Sequence, residues 1–135
     1  MSATILVVDD DVNVLDALEA QLKEVGYTVF TALNGSDGLK KCKFYKPDAV
    51  ILDIFMPGMQ GSRVAEEIGN DPQTKRIPII FITSLLTKKE VPPDNLLGGR
   101  YFVAKPFKFE ELHALLKRIV KNGSRLAEGI FSQHF

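Results

Sequence analysis

The chain has 135 residues, 45% of them hydrophobic, which is enough for one compact domain that needs neither disulfides nor a structural metal. Its 17 basic and 17 acidic side chains balance, so there is no general attraction to nucleic acid or to anionic membranes. The single cysteine, Cys42, cannot form an internal disulfide, and no run approaches the ~18 apolar residues of a membrane span. The start of the chain is too acidic for a signal peptide. We therefore expect a cytoplasmic protein.

The first predicted elements are a strand at residues 5–8 and a helix after it. The strand is continuously apolar, as expected where a parallel sheet is covered on both faces. Asp11 is placed to cap the helix and Gly26 to end it. The apolar positions of this helix are Leu15, Leu18, Leu22 and Val25.

Further strands and helices alternate along the rest of the chain. Residues 28–33 mix Thr with apolar residues, which is typical of an edge strand, and weaker helical patterns cover 36–45 and 62–69. Continuous apolar runs, which predict buried strands, lie at 49–52, 79–82 and 101–104. A last helix, ended by Asn122-Gly123, has the apolar positions Leu112, Leu115, Leu116, Ile119 and Val120.

This alternation predicts an α/β fold, a doubly wound parallel sheet with helices on both faces. Five strands in about 120 residues match the flavodoxin-like strand order 2-1-3-4-5. We expect residues 1–121 to form this domain, and residues 122–135 to be a C-terminal tail or a truncated linker.

Aspartates follow the two strands at which the winding of this sheet reverses. Asp9 and Asp10 come after the first strand, and Asp53 ends the third. Ligands of doubly wound folds bind at this edge, and carboxylates on neighbouring strands could converge on one ion. Mg²⁺ takes oxygen ligands of this kind, with Mn²⁺ as the alternative ion. Asp11 is better explained as the helix cap.

Two more strand ends point to the same edge. The fourth strand finishes at Thr83 and the fifth at Lys105. A hydroxyl and an ammonium beside a metal-binding carboxylate are donors that the oxygens of a phosphoryl group require. Neither residue is informative alone, since Thr is common in turns and Lys on surfaces. Their convergence with the aspartates predicts a phosphoryl-binding site.

Four stretches at these strand ends are similar to the receiver domain of bacterial response regulators. They are ILVVDDD, LDIFMPGMQG (residues 52–61), ITS (82–84) and YFVAKPF (101–107), and the similarity covers about residues 3–121. It implies that Asp53 accepts a phosphoryl group from the phosphohistidine of a sensor histidine kinase or phosphotransfer protein. It also implies the metal ligands Asp10, Asp53, the main-chain carbonyl of Phe55 and, largely through water, Asp9.

The resemblance further implies a conformational signalling switch rather than an enzyme. Thr83 and Lys105 would contact the phosphoryl group, and Phe102, three residues before the lysine, would rotate inward. The Lys105-Pro106 bond would be cis. The altered surface would be read by a downstream protein or output domain in a two-component phosphorelay.

Three features depart from the family's usual pattern. Pro92-Pro93 falls where a fourth helix normally continues, so we predict a short or distorted helix there. The loop before the fifth strand reads GGRY (98–101), which predicts an unusual output face. Phe55 and Leu85 lie two residues after Asp53 and Thr83, and this apolar pair is expected to slow hydrolysis of a phosphoaspartate.

Three other functions fit parts of the sequence. A haloacid-dehalogenase-like phosphatase also uses Asp, Thr and Lys, and Asp9-x-Asp11 resembles its first motif, but Asn13 departs from that motif. A flavodoxin-like cofactor binder would need Gly, Ser and Thr where this chain has acidic residues. A receiver fold could also serve only as an interaction module.

Overall fold

The computed structural model describes residues 3–120, which form six β-strands and four α-helices. The expected helix end at Asn122-Gly123 and the expected tail at 122–135 lie outside the described residues. In chain order the elements are β1 (Thr4–Val8), α1 (Val12–Glu24), β2 (Thr28–Ala32), α2 (Gly35–Tyr45), β3 (Ala49–Asp53), α3 (Gly61–Asn70), β4 (Ile79–Thr83), a 3₁₀ turn (Lys88–Glu90), β5 (Leu96–Leu97), β6 (Arg100–Ala104) and α4 (residues 109–120).

The strands form one sheet in the order β2-β1-β3-β4-β6-β5. The five long strands are parallel and have the predicted 2-1-3-4-5 order. All five predicted parallel strands are present, and β5 adds a sixth, short antiparallel strand at the edge beside β6. Its two residues are too few for a recognisable apolar run. The hairpin turns at Gly98 and Gly99, whose φ angles of +61° and +80° favour glycine.

Helices cover both faces of the sheet, as predicted, and each face has its own buried core. Successive strand residues point to opposite faces, which explains the continuous apolar runs. One core joins alternate strand residues to α1 and α4, and its helical members are Leu15, Leu18, Leu22, Leu112, Leu115, Leu116, Ile119 and Val120. The other joins the intervening strand residues to α2 and α3 through Cys42, Val64, Ala65 and Ile68.

The predicted signals at the two ends of α1 are confirmed, with one correction. The carboxylate of Asp11 accepts a hydrogen bond from the backbone N–H of Asn13, as an N-cap does. Gly26 follows the helix with a φ of +105°. Val25 was expected on the apolar face, but it is the C-cap residue and is 45% exposed.

No α-helix forms between β4 and β5, where all residues from 84 to 99 are described. The predicted short or distorted helix is reduced to one 3₁₀ turn, Lys88–Glu90, which Thr87 and Glu90 close reciprocally as a capping box. Pro92 and Pro93 follow after Val91 and lack the N–H groups that another helical turn would need. The chain therefore continues into the β5–β6 hairpin.

The outer edge of the sheet at β2 is partly closed by a side chain of α2. The ammonium of Lys41 donates a hydrogen bond of 2.6 Å to the backbone carbonyl of Thr31. An edge strand otherwise presents unpaired backbone groups to other chains, and lysine is a common way to block them. In residues 3–120 no helix has the length and apolar character that crossing a membrane requires.

Candidate functional site

Three carboxylates meet at the carboxyl edge of the sheet. Asp9 directly follows β1, Asp53 ends β3, and these strands pair in parallel. Together with Asp10 they offer oxygen atoms that all lie within 4.8 Å of one another. Asp9 is fully buried and Asp53 is 8% exposed, whereas Asp10 is exposed. The predicted convergence of these three side chains is therefore observed.

Lys105, the residue after β6, reaches across to two of the carboxylates. Its Nζ lies 3.2 Å from Oδ2 of Asp9 and 3.8 Å from Oδ1 of Asp53. Its backbone N–H donates to the carbonyl of Thr83 at 2.7 Å, which holds it beside the end of β4. The Lys105-Pro106 bond is cis, as the resemblance implied.

The pKa of Asp53 is raised from 3.8 to about 6, chiefly by burial of the carboxyl group and next by the charge of Asp9. Lys105 and a hydrogen bond from the backbone N–H of Phe55 act in the opposite direction, and Asp10 adds a smaller increase. The positive charge of the Lys105 ammonium thus only partly offsets the negative charge of the three clustered carboxylates. The site has a surplus of negative charge that a cation would relieve.

Thr83 is buried at the end of β4, and Phe102 lies in the neighbouring strand β6. The hydroxyl oxygen of Thr83 accepts a hydrogen bond of 3.0 Å from the backbone N–H of Leu85. Phe102 is half-buried and stacks on Phe81, with 5.3 Å between the ring centroids. Arg100 lies over the same Phe81 ring, 5.7 Å from its centroid.

Two exposed apolar side chains lie beside these groups in the sequence. Phe55, two residues after Asp53, is 53% exposed, and Leu85, two residues after Thr83, is 58% exposed. Both are available to an incoming partner or to water.

The sequence reasoning missed Gly61, the first residue of α3. A Cβ atom at this position would clash with the carbonyl oxygen of Asp53 and lie 2.8 Å from the Cα of Ile54. The backbone N–H of Gly61 also donates to the carbonyl of Ile54 at 2.8 Å. Helix α3 therefore begins against the backbone of Asp53, and glycine makes this approach possible. The end of LDIFMPGMQG at this glycine was the available signal.

The donor set fits the predicted ion. Clustered carboxylate oxygens are the hard ligands that Mg²⁺ takes, and they include none of the thiol or imidazole groups typical of zinc sites. After burial, the charges of Asp9 and, to a smaller extent, Asp10 contribute to the raised pKa of Asp53, and a cation would offset them. Asp9, Asp10 and Asp53 are therefore chemically suited to a magnesium ion.

Comparison with known families decides the classification. Residues 5–117 match the response regulator receiver domain. The chain belongs to this family. As a receiver domain, it is a signalling domain of two-component systems.

Individual relatives agree with this classification. The chain is 34% identical to Protein PilH of Pseudomonas aeruginosa over 110 residues, which is 82% of this chain and 91% of PilH. It is 32% identical over 125 residues to the alkaline phosphatase synthesis transcriptional regulatory protein PhoP of Bacillus subtilis, covering 90% of this chain and 50% of PhoP. The chain thus spans about half the length of several curated relatives it matches.

A solved receiver domain has the same fold and contains a metal. The receiver domain of the sensor histidine kinase PA1611 of Pseudomonas aeruginosa superposes with a TM-score of 0.77 at 28% identity, covering 90% of this chain and 99% of that one. That structure has a magnesium ion coordinated in its active site cleft. The family match gives no support to the haloacid-dehalogenase-like phosphatase or to the flavodoxin-like cofactor binder, and the interaction module is left to be tested.

Proposed function

We propose that this receiver domain accepts a phosphoryl group on Asp53 from the phosphohistidine of a sensor histidine kinase or phosphotransfer protein. The observation that carries the proposal is the position of Asp53, whose carboxylate clusters with Asp9 and Asp10 and lies 3.8 Å from the ammonium of Lys105. This arrangement pairs a nucleophilic carboxylate with a cation that can meet the oxygens of an incoming phosphoryl group.

The proposed reaction is a single transfer. A carboxylate oxygen of ionised Asp53 forms a bond to phosphorus while the phosphorus–nitrogen bond of phosphohistidine breaks, and the electron pair of that bond returns to the imidazole nitrogen. The product is an acyl phosphate on Asp53. Positioning contributes most of the rate, and Lys105 stabilises the charge on the phosphoryl oxygens.

A magnesium ion would be held by Asp10, Asp53, the main-chain carbonyl of Phe55 and, largely through water, Asp9, with Mn²⁺ as the alternative ion. When bound, the ion supplies positive charge that screens the phosphoryl group from the carboxylates. The N–H of Phe55 donates to Asp53 and thereby orients the nucleophile. The magnesium in the PA1611 receiver domain supports this assignment.

Phosphorylation would act as a switch through Thr83 and Phe102. The acyl phosphate adds nearly two negative charges beside Thr83, whose hydroxyl would then donate to a phosphoryl oxygen while Phe102 turns inward. The changed surface would be read by a downstream protein or output domain.

The proposed location is the cytoplasm, and the buried thiol of Cys42 fits a reducing compartment.

The test is the intact mass of the protein after incubation with acetyl phosphate. Wild type is expected to gain one phosphoryl group when Mg²⁺ is present and none with excess chelator. Asp53→Asn should gain none, whereas Asp16→Asn, which changes an exposed carboxylate of α1, should react like wild type. An unmodified wild type under all conditions would favour a pure interaction module. Equal modification of Asp53→Asn would assign the acceptor to another residue.

A further inference from the structure

The segment of residues 84–99 replaces the missing helix and is attached to both proposed switch residues. At its start, the N–H of Leu85 donates to the hydroxyl oxygen of Thr83 at 3.0 Å. A hydroxyl that turns to donate to a phosphoryl group would change this contact. The start of the segment is therefore sensitive to the state of Thr83.

Near the end of the segment, Asn95 holds the backbone of Phe102 at two points. Its carbonyl accepts a hydrogen bond of 2.9 Å from the N–H of Phe102, and its side-chain amide donates one of 3.0 Å to the carbonyl of Phe102. Asn95 is half-buried and has a φ of +64°, a conformation that Asn adopts more readily than most residues.

The same carboxamide also contacts α4. The guanidinium of Arg118 donates to Oδ1 of Asn95 at 3.4 Å and to the backbone carbonyl of Asp94 at 3.2 Å. The side chain of Asn95 therefore lies between the backbone of Phe102 and a cation of the last helix. Leu96 and Leu97 follow it directly in β5 and are 37% and 40% exposed.

We propose that Asn95 is a positioning residue that couples Phe102 to the β5–β6 hairpin and to α4. The inference rests on the proposed function, because it assumes that phosphorylation moves Phe102. As the ring of Phe102 turns inward, a shift of its backbone would displace the N–H and carbonyl groups to which Asn95 is bonded and so move the start of β5. The apolar surface of Leu96 and Leu97 then differs between the two states, in place of the absent helix.

The test uses backbone amide chemical shifts with and without Mg²⁺ and beryllofluoride, a stable mimic of the acyl phosphate. Asn95→Gly removes the carboxamide while tolerating the positive φ. Asn95→Asp keeps an acceptor for Arg118 but loses the donor to Phe102. Asn70→Gly, at the exposed end of α3, is the matched control for introducing glycine. Thermal midpoints of all variants report simple loss of stability.

In wild type and Asn70→Gly, the mimic should shift amides at Asp53 and Thr83 and also those of Leu96, Leu97 and Arg118. In both Asn95 variants the shifts at Asp53 and Thr83 (the acceptor-site shifts) should persist. The shifts at Leu96 and Leu97 (the hairpin shifts) should fall to less than about half of their size in wild type. The amide shift of Arg118 should be absent in Asn95→Gly. In Asn95→Asp it should remain but be smaller than in wild type.

Two other results would overturn the inference in distinguishable ways. If the shifts at Leu96 and Leu97 in Asn95→Gly are as large as in wild type, Asn95 has no coupling role. The same conclusion follows if wild type shows clear shifts at Asp53 and Thr83 but none at Leu96 and Leu97. Either result leaves the proposed function intact. Absence of acceptor-site shifts in folded wild type would remove the proposed function, and this inference with it.

Discussion

The Nζ atom of Lys105 lies 3.2 Å from Oδ2 of Asp9, although 96 positions separate these residues in the sequence. The carboxylate is almost fully buried and the ammonium is about one quarter exposed. Because a buried charge is costly without a partner, this contact compensates Asp9 in the folded protein. The lysine therefore has a role in stability that is separate from contact with a phosphoryl group.

Replacing Lys105 by Met should lower the free energy of unfolding by roughly 2 kcal/mol at pH 8 without divalent cations, since Asp9 loses its cationic partner and keeps only the hydrogen bond from the N–H of Asp11. Urea denaturation measures the change. Lys23→Met is the control, because Lys23 forms an exposed pair with Glu19 whose loss should cost at most about 0.5 kcal/mol. Equal losses in the two variants would contradict the role of Lys105.

Asp53→Asn should stabilise the metal-free protein at pH 8 by an amount on the order of 2 kcal/mol. The folded-state pKa of Asp53 is raised to about 6, so the folded protein binds this proton more tightly than the unfolded chain does. The contribution of protonated Asp53 to the free energy of unfolding is fully present below pH 4, and it is lost as the pH rises through 6. The two proteins should therefore match at pH 4 and diverge above it, as measured by urea denaturation across pH.

Saturating Mg²⁺ should reverse that order. A cation bound only by the folded protein adds stability, and Asp53→Asn lacks one of its ligands. The thermal midpoint of wild type should rise with Mg²⁺ concentration, and that of Asp53→Asn should rise less. The exposed-site variant Asp16→Asn should follow wild type. Equal rises of the midpoint with Mg²⁺ in Asp53→Asn and wild type would place the ion elsewhere.

Gly61→Ala should lower the free energy of unfolding by about 2 kcal/mol or more, because the added methyl group meets the carbonyl of Asp53. It should also weaken Mg²⁺ binding, measured by titration calorimetry, since the backbone at Asp53 must shift. Gly69→Ala is the control within the same helix. A Cβ there meets no atom within 4 Å, so stability should be unchanged or gain up to about 1 kcal/mol.

The double variant Phe55→Ala with Leu85→Ala should hydrolyse its acyl phosphate several-fold faster than wild type. Both side chains are exposed apolar groups near the acceptor, and removing them opens the approach of water to phosphorus. The decay of the phosphorylated mass after removal of acetyl phosphate measures the lifetime. Leu33→Ala removes a third exposed side chain and should leave the lifetime unchanged. An equal or longer lifetime in the double variant would contradict the shielding role.

The sequence predicted the parallel core of the sheet because burial on both faces leaves a strong local signal. The runs that contain Val8, Leu52 and Ile82 are continuous, and each lies in the expected strand. Convergence of Asp9, Asp10 and Asp53 followed from strand order alone, since parallel strands end at one edge. The part of the site fixed by topology was therefore predictable.

The features that depend on close packing were not predictable in this way. The approach of Gly61 to Asp53 is a backbone contact between two elements, and a single glycine in a loop sequence gives little indication of it. Pro92 and Pro93 oppose a longer helix, and the β5–β6 hairpin that follows is held in part by the hydrogen bonds between Asn95 and Phe102. The sequence indicated where the helix fails, but not which structure forms instead.

The hydrogen bond from Lys41 to the carbonyl of Thr31 has a consequence for self-association. At β2 the sheet ends in a strand that another molecule could extend by backbone pairing. The Lys41 ammonium occupies the Thr31 carbonyl, which is an acceptor that an added strand would use. It also places a positive charge at this edge, which the same lysine of an identical neighbour would repel. The Lys41 side chain therefore disfavours the addition of a further strand at that carbonyl.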